Sequence, residues 1–145
     1  MIPSVYIAST LSNAPRVREL RDKLAELGIS LTYDWSLHCR VSDPAILKEI
    51  AIGELRGIIK ASVLLLVAPG KLGTHFEYGV AFGAQKPVVF LADQLVGPDE
   101  PIYHLDDVFY CYTETEAIST LQAIISGSLV PPSPHLIQKL WDEQC

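Results

Sequence analysis

Two glutamates hold positions from which a carboxylate could do chemistry. Glu77 lies within GKLGTHFEYGVAFGAQKPVVFL, residues 70 to 91. There Gly70 and Gly73 break the backbone after an apolar run, Thr74 offers a helix cap, and Lys86-Pro87 ends the helix before the next apolar run. This pattern predicts strand, turn, helix and strand, with Glu77 in the first helical turn, where free backbone N–H groups favour negative charge. Glu54 falls seven residues after Leu47 and four before Ile58 in a helical apolar stripe, so a charge is turned toward the core or its edge. Each acid also has a plain structural reading. Thr74-His75-Phe76-Glu77 matches a capping box, and Glu54 could reach water along its flexible stem from the margin of the stripe.

Other polar groups gather near the predicted strand ends. Ser9, Ser12, Asn13 and Arg16 follow the first strand and could form an anion site at a helix N-terminus, although capping alone explains Ser12 and Asn13. Trp35 reads as a core residue on which a base or sugar could also stack. His38 and His75 read as loop or cap residues. The turn Gly70-Lys71-Leu72-Gly73 lacks the Gly-Lys-Ser/Thr ending of a phosphate loop, Gly-x-Gly-x-x-Gly does not follow the first strand, and Gly-x-Ser-x-Gly is missing. Triphosphate hydrolysis, dinucleotide binding and α/β-hydrolase chemistry are thereby weakened, and the acids remain.

The elements that must position these groups alternate along the chain. Val5 to Ala8 predicts a first strand and Val17, Leu20, Leu24 and Leu27 a first helix, closed by Gly28. Ile29 to Tyr33 predicts a second strand, and Asp43-Pro44 opens a helix running to about Ile59, with its stripe at Leu47, Ile50, Ala51, Leu55 and Ile58. Val63 to Val67 is the continuous aliphatic run of a central parallel strand. In the helix that follows, Gly79 and Gly83 leave a face without side chains, which predicts close packing there. A patternless segment, 92 to 107, precedes a last strand, Val108 to Tyr112, and a helix opened by Thr113-Glu114-Thr115-Glu116 and stopped by Gly127. Residues 130 to 134 read as a Pro-rich linker and 135 to 143 as a terminal helix with Leu136, Leu140 and Trp141 on one side. The alternation predicts an α/β fold with a doubly wound, five-stranded parallel sheet in the order 2-1-3-4-5, flavodoxin-like and Rossmann-like, within a single domain over 1 to 145. The exits of strands 1, 3 and 4 then share one rim, the side on which such sheets bind ligands.

Composition bounds the partners. With 145 residues, 49% apolar and 19% charged, the chain can bury a core, and a net charge of -6 argues against a general nucleic-acid binder. Cys39, Cys111 and Cys145 are odd in number and widely spaced, so neither a disulfide framework nor a metal site is indicated, and a reducing cytoplasm fits. The longest apolar stretch is too short for a bilayer and the first residues lack a signal-peptide pattern, so no membrane partner and no export are expected.

Three stretches resemble the nucleoside 2-deoxyribosyltransferase family, which includes deoxynucleoside monophosphate and CMP N-glycosidases. They are Val5-Tyr6-Ile7-Ala8-Ser9, Glu54-Leu55-Arg56-Gly57-Ile58, and Gly73-Thr74-His75-Phe76-Glu77-Tyr78-Gly79-Val80-Ala81 followed by Lys86-Pro87-Val88. The resemblance implies a catalytic nucleophile at Glu77, a base-contacting acid at Glu54, and Tyr6 and Ser9 at the site. Asn13, Arg16, Trp35, Gly73 and His75 complete the expected substrate-binding set, with no cofactor and a small-molecule nucleoside or nucleotide as ligand. It also implies a homodimer or higher homo-oligomer whose pocket a neighbouring subunit completes. The acid at the second stretch is usually Asp in that family and the residue before the third strand is often Asp, whereas this chain has Glu54 and Ser62. Cleavage of an N-glycosidic bond suits two acids, because a carboxylate can stabilise or trap the oxocarbenium-like centre while a second acid helps the base leave. A TIR-like NAD glycohydrolase and a non-catalytic nucleotide-binding or partner-binding module are the competing expectations.

Overall fold

The computed structural model describes residues 2–93, 101–105, 108–130 and 136–144. Five parallel strands form one sheet in the order β2-β1-β3-β4-β5, with helices on both sides, as the alternation of elements predicts. The strands are β1 (Ser4–Ala8), β2 (Ser30–Leu31), β3 (Val63–Val67), β4 (Val88–Leu91) and β5 (Val108–Cys111). The helices are α1 (Ala14–Glu26), α2 (Pro44–Lys60), α3 (Leu72–Gly83), α4 (Glu114–Ser126) and α5 (Leu136–Asp142). All residues of β3 and β4 are buried, which is why these strands read as unbroken aliphatic runs rather than as alternating patterns. The register pairs Val5 with Val63 and Leu64 with Val88, so β3 runs between β1 and β4 at the centre of the sheet.

Local chemistry sets the helix ends. Asp43 Oδ1 accepts the Ala45 N–H at 2.8 Å with Pro44 in the first turn, so α2 starts where the Asp-Pro signal puts it. Thr113 and Glu116 form a reciprocal capping box at α4. Gly28 and Gly127 lie at φ 74 and 80, the left-handed region that ends α1 and α4.

Four expectations need correction. β2 is two residues long rather than Ile29 to Tyr33, because the chain leaves the edge of the sheet after Leu31 and Trp35 turns inward in a short 3-10 turn, Trp35–Leu37. α3 begins at Leu72, so Thr74 is not its N-cap; its hydroxyl instead accepts the Lys71 N–H at 3.2 Å. Gly79 and Gly83 are exposed and a Cβ at either would meet nothing within 4 Å, so neither mediates close packing. The crowded glycines belong to α2: a Cβ at Gly53 would lie 2.6 Å from the Tyr33 ring, and one at Gly57 would lie 2.7 Å from Tyr33 Cβ and 3.1 Å from Tyr6 Cδ2. The stripe of α2 is buried only near its end, at Ile58, while Leu47 is 45% exposed and Ala51 is exposed.

Within the 92 to 107 segment, residues 101–104 form a 3-10 turn fastened to the flank of α3. Tyr78 Oη donates to the Ile102 carbonyl at 2.7 Å, and His75 Nε2 is bonded to Tyr103 Oη. Most of the expected Pro-rich linker, 131 to 134, lies outside the described residues. Among the described residues no helix is long and apolar enough to cross a membrane.

Candidate active site

The sheet brings the exits of β1 and β3 side by side, and helices α2 and α3 pack on each other beside them. A pocket of about 690 Å³ opens between these parts. Glu54 on α2 and Glu77 on α3 both line it, together with Ser9, Trp35, His38 and Gly73.

Glu77 is the sixth residue of α3, one turn beyond the place a capping carboxylate occupies, and it is only 9% exposed. Its Oε2 has no hydrogen-bond partner among the described residues. An unpaired buried polar atom is costly and calls for an explanation. Burial is the main reason that its pKa is pushed up to about 8, and the negative charge of Glu54 adds to the rise. Behind it Tyr6 is fully buried in β1, and its phenol pKa is driven strongly upward, first by burial and then by the charges of Glu77 and Glu54. The Tyr6 hydroxyl is near enough to Glu77 to temper the carboxyl's shift, yet neither it nor Glu77 Oε2 is in regular hydrogen-bond geometry with a described residue. Glu54 is half-buried and its pKa is also raised, by burial, with the nearby His38 acting in the opposite direction. Burial and the charge of Glu54 thus both favour the protonated form of Glu77.

The remaining expected residues divide into two groups. Ser9 lines the pocket while its hydroxyl donates to the Val67 carbonyl at 2.8 Å and receives Asn13 Nδ2 at 2.9 Å, so the exits of β1 and β3 are laced together. Asn13 thus acts through Ser9 rather than as a helix cap. Trp35 lines the pocket although it is 93% buried, and its indole N–H donates to the Ile7 carbonyl at 2.6 Å. Gly73 contributes open backbone beside Thr74. Arg16 is not brought to the pocket: it forks onto Asp93, with Nη1 to Oδ1 at 3.1 Å, and stands 3.6 Å from Glu114. His75 is turned away as well, between the Lys71 carbonyl at 2.7 Å and Tyr103.

Two cations on the pocket wall, Arg40 and Lys71, escaped the sequence reading. Arg40 follows directly on the aromatic and polar exit of the second strand, and Lys71 sits in the turn whose only recognisable pattern was a failed phosphate loop. Their value depends on the fold bringing two distant loops together, which no local spacing reveals.

No family model matches the chain, and no curated protein matches it. Among solved structures, the chain is similar in fold to the CMP N-glycosidase BcmB of Clostridium botulinum, with a TM-score of 0.56 and 17% sequence identity over 82% of this chain and 98% of that one.

Proposed function

We propose that the protein cleaves the N-glycosidic bond of a (deoxy)nucleoside or nucleoside monophosphate, by hydrolysis or base exchange. The observation that carries this reading is the buried carboxyl of Glu77, whose Oε2 has no hydrogen-bond partner among the described residues, on the wall of a pocket that it shares with Glu54. A fold shared with a CMP N-glycosidase agrees with it.

In this reading the ionised Glu77 attacks C1′ of the sugar, the C1′–N bond breaks, and the departing base takes its proton from Glu54. The product is a glycosyl ester on Glu77. Water, deprotonated by Glu54, then attacks C1′ and releases the sugar and the free carboxylate; a second base in place of water gives transfer. The first half-reaction needs one proton, and needs it on Glu54, so the proton that burial holds on Glu77 passes to Glu54 as substrate docks; the second begins with Glu54 ionised and recovers the proton from water. Tyr6 orients Glu77 from behind, and Trp35 offers its exposed edge to the base. Lys71 and Arg40 suit an anionic group on the sugar, so a 5′-monophosphate is the favoured form. Ser9 shapes the rim through its hydrogen bonds. The site uses no cofactor in this scheme.

The test is incubation of the protein with a panel of deoxynucleosides, deoxynucleotides, CMP and NAD, with released base followed by chromatography. Release of base from a nucleoside or nucleoside monophosphate is expected. Release of nicotinamide from NAD alone would replace this substrate class with that of an NAD glycohydrolase, and no release from any compound would favour a binding module.

A further inference from the structure

The phenol of Tyr33 is bonded to His38 Nε2 at 2.7 Å, and this pair lies outside the chemistry described so far. Tyr33 follows the short strand β2, and its side chain rests on the bare face of α2 at Gly53 and Gly57, where any Cβ would collide with it. The two rings have centroids 5.6 Å apart. Glu54 is the residue next to Gly53 on that helix, and His38 and Glu54 line the same pocket. The bond to Tyr33 occupies Nε2, so Nδ1 is the nitrogen left for the pocket.

We propose that Tyr33 and His38 form a positioning pair for Glu54: Tyr33, seated on the Gly53 and Gly57 face, holds the His38 ring on the wall of the pocket that Glu54 lines. The geometry of the pair stands without any assumption about catalysis, while its consequence for turnover rests on Glu54 being the acid of the proposed reaction. Four titratable groups surround Glu54: its charge raises the pKa of Tyr6 from β1, Tyr33 from the exit of β2 and Glu77 from α3, and His38, from the loop before α2, acts on Glu54 itself. Arg40 and Lys71 line the same pocket. His38 draws the Glu54 carboxyl back toward ionisation against the effect of burial. Glycine at both positions of α2 is explained by the same arrangement, since the space that a methyl group would take is filled by the tyrosine that holds the histidine.

The test follows the Glu54 carboxyl carbon by NMR during a pH titration of the full chain without nucleotide, in the wild type, Tyr33→Phe, His38→Gln and the double variant. Phenylalanine keeps the ring on its shelf, so the fold is preserved while the bond to His38 is lost. The Glu54 midpoint is expected to rise by roughly a few tenths of a pH unit or more in each single variant, with the double variant no higher than His38→Gln alone. A midpoint unmoved by either substitution, or full additivity of the two, would overturn the pairing. With any nucleotide the wild type turns over, Tyr33→Phe should lower kcat with little change in KM and move the basic limb of the pH profile to higher pH. A superimposable profile would overturn the catalytic consequence. If no nucleotide is turned over, the N-glycosidase reading fails by itself, and the titration still decides whether Tyr33 and His38 govern Glu54.

Discussion

Glu77 shows how one residue can carry two local readings that only its helix register separates. Thr74-His75-Phe76-Glu77 satisfies the capping-box spacing, but the helix starts at Leu72, and the same four residues then place Glu77 on the buried side facing the pocket. Glycines on both sides of the start make every nearby residue a plausible cap, so the sequence could single out the carboxylate without fixing its environment. That environment has a pH signature. A carboxyl whose folded pKa is raised from 4.5 to about 8 contributes stability that is fully present below pH 4.5 and is lost as the pH rises through 8. Glu77→Gln has no charge to desolvate, so its melting temperature should exceed that of the wild type by a margin that widens from pH 4.5 to pH 8 and then levels off. A constant difference across that range would mean that Glu77 is not held protonated by burial. Lys71 makes a second test at this scale. Charge-assisted hydrogen bonds are worth about 1.5–3 kcal/mol, so Lys71→Ala should raise KM for a monophosphate about tenfold or more and leave the unphosphorylated nucleoside within roughly twofold.

Among the elements, the two helices with i, i+4 glycines looked alike in sequence, and the structure gives them opposite roles. Periodicity shows that a face lacks side chains; it does not show whether anything lies against it. On α2 the face receives Tyr33, whereas on α3 it is exposed. Gly79→Ala should therefore raise stability by about 0.5–1 kcal/mol through helix propensity and lower unfolded-state entropy, while Gly57→Ala should lower it by about 1–3 kcal/mol as its methyl meets Tyr33 and Tyr6. Thermal or urea unfolding of the two variants checks both signs. Arg16 illustrates a related difficulty. Its place at the start of α1 suited a phosphate ligand, but Asp93 and Glu114, far away in sequence, already occupy it. Arg16→Ala is expected to cost about 0.2–1 kcal/mol, as exposed ion pairs do, without altering the preference for a monophosphate.

For the whole molecule, strand order was legible because βαβ connections are right-handed and β3 and β4 have the composition of strands covered on both faces. The short edge strand β2 was less so, since its flanking residues are apolar for a different reason: Ile29 and Trp35 pack into the core around it. Several apolar side chains remain outside the core. Ile46, Leu47 and Ile59 on α2 and Leu140 and Trp141 on α5 are between 45% and 65% exposed. Such faces commonly mark association surfaces, and we propose that the chain forms a homodimer or higher homo-oligomer. Sedimentation at micromolar concentration should give a mass of at least twice 15.9 kDa; a strict monomer would exclude assembly and leave the pocket to be completed by this chain alone.

Glu77 as the nucleophile is the central claim, and the most direct measurement is base release by Glu77→Gln beside the wild type, on any substrate the wild type turns over. The amide keeps the size of the side chain and cannot form the glycosyl ester or offset positive charge at C1′. A folded Glu77→Gln protein is predicted to lose turnover by orders of magnitude and to form no mass adduct with a 2-fluoro-2-deoxy nucleoside substrate analogue, which the wild type should trap. A Glu77→Gln protein that releases base at near the wild-type rate would contradict the account.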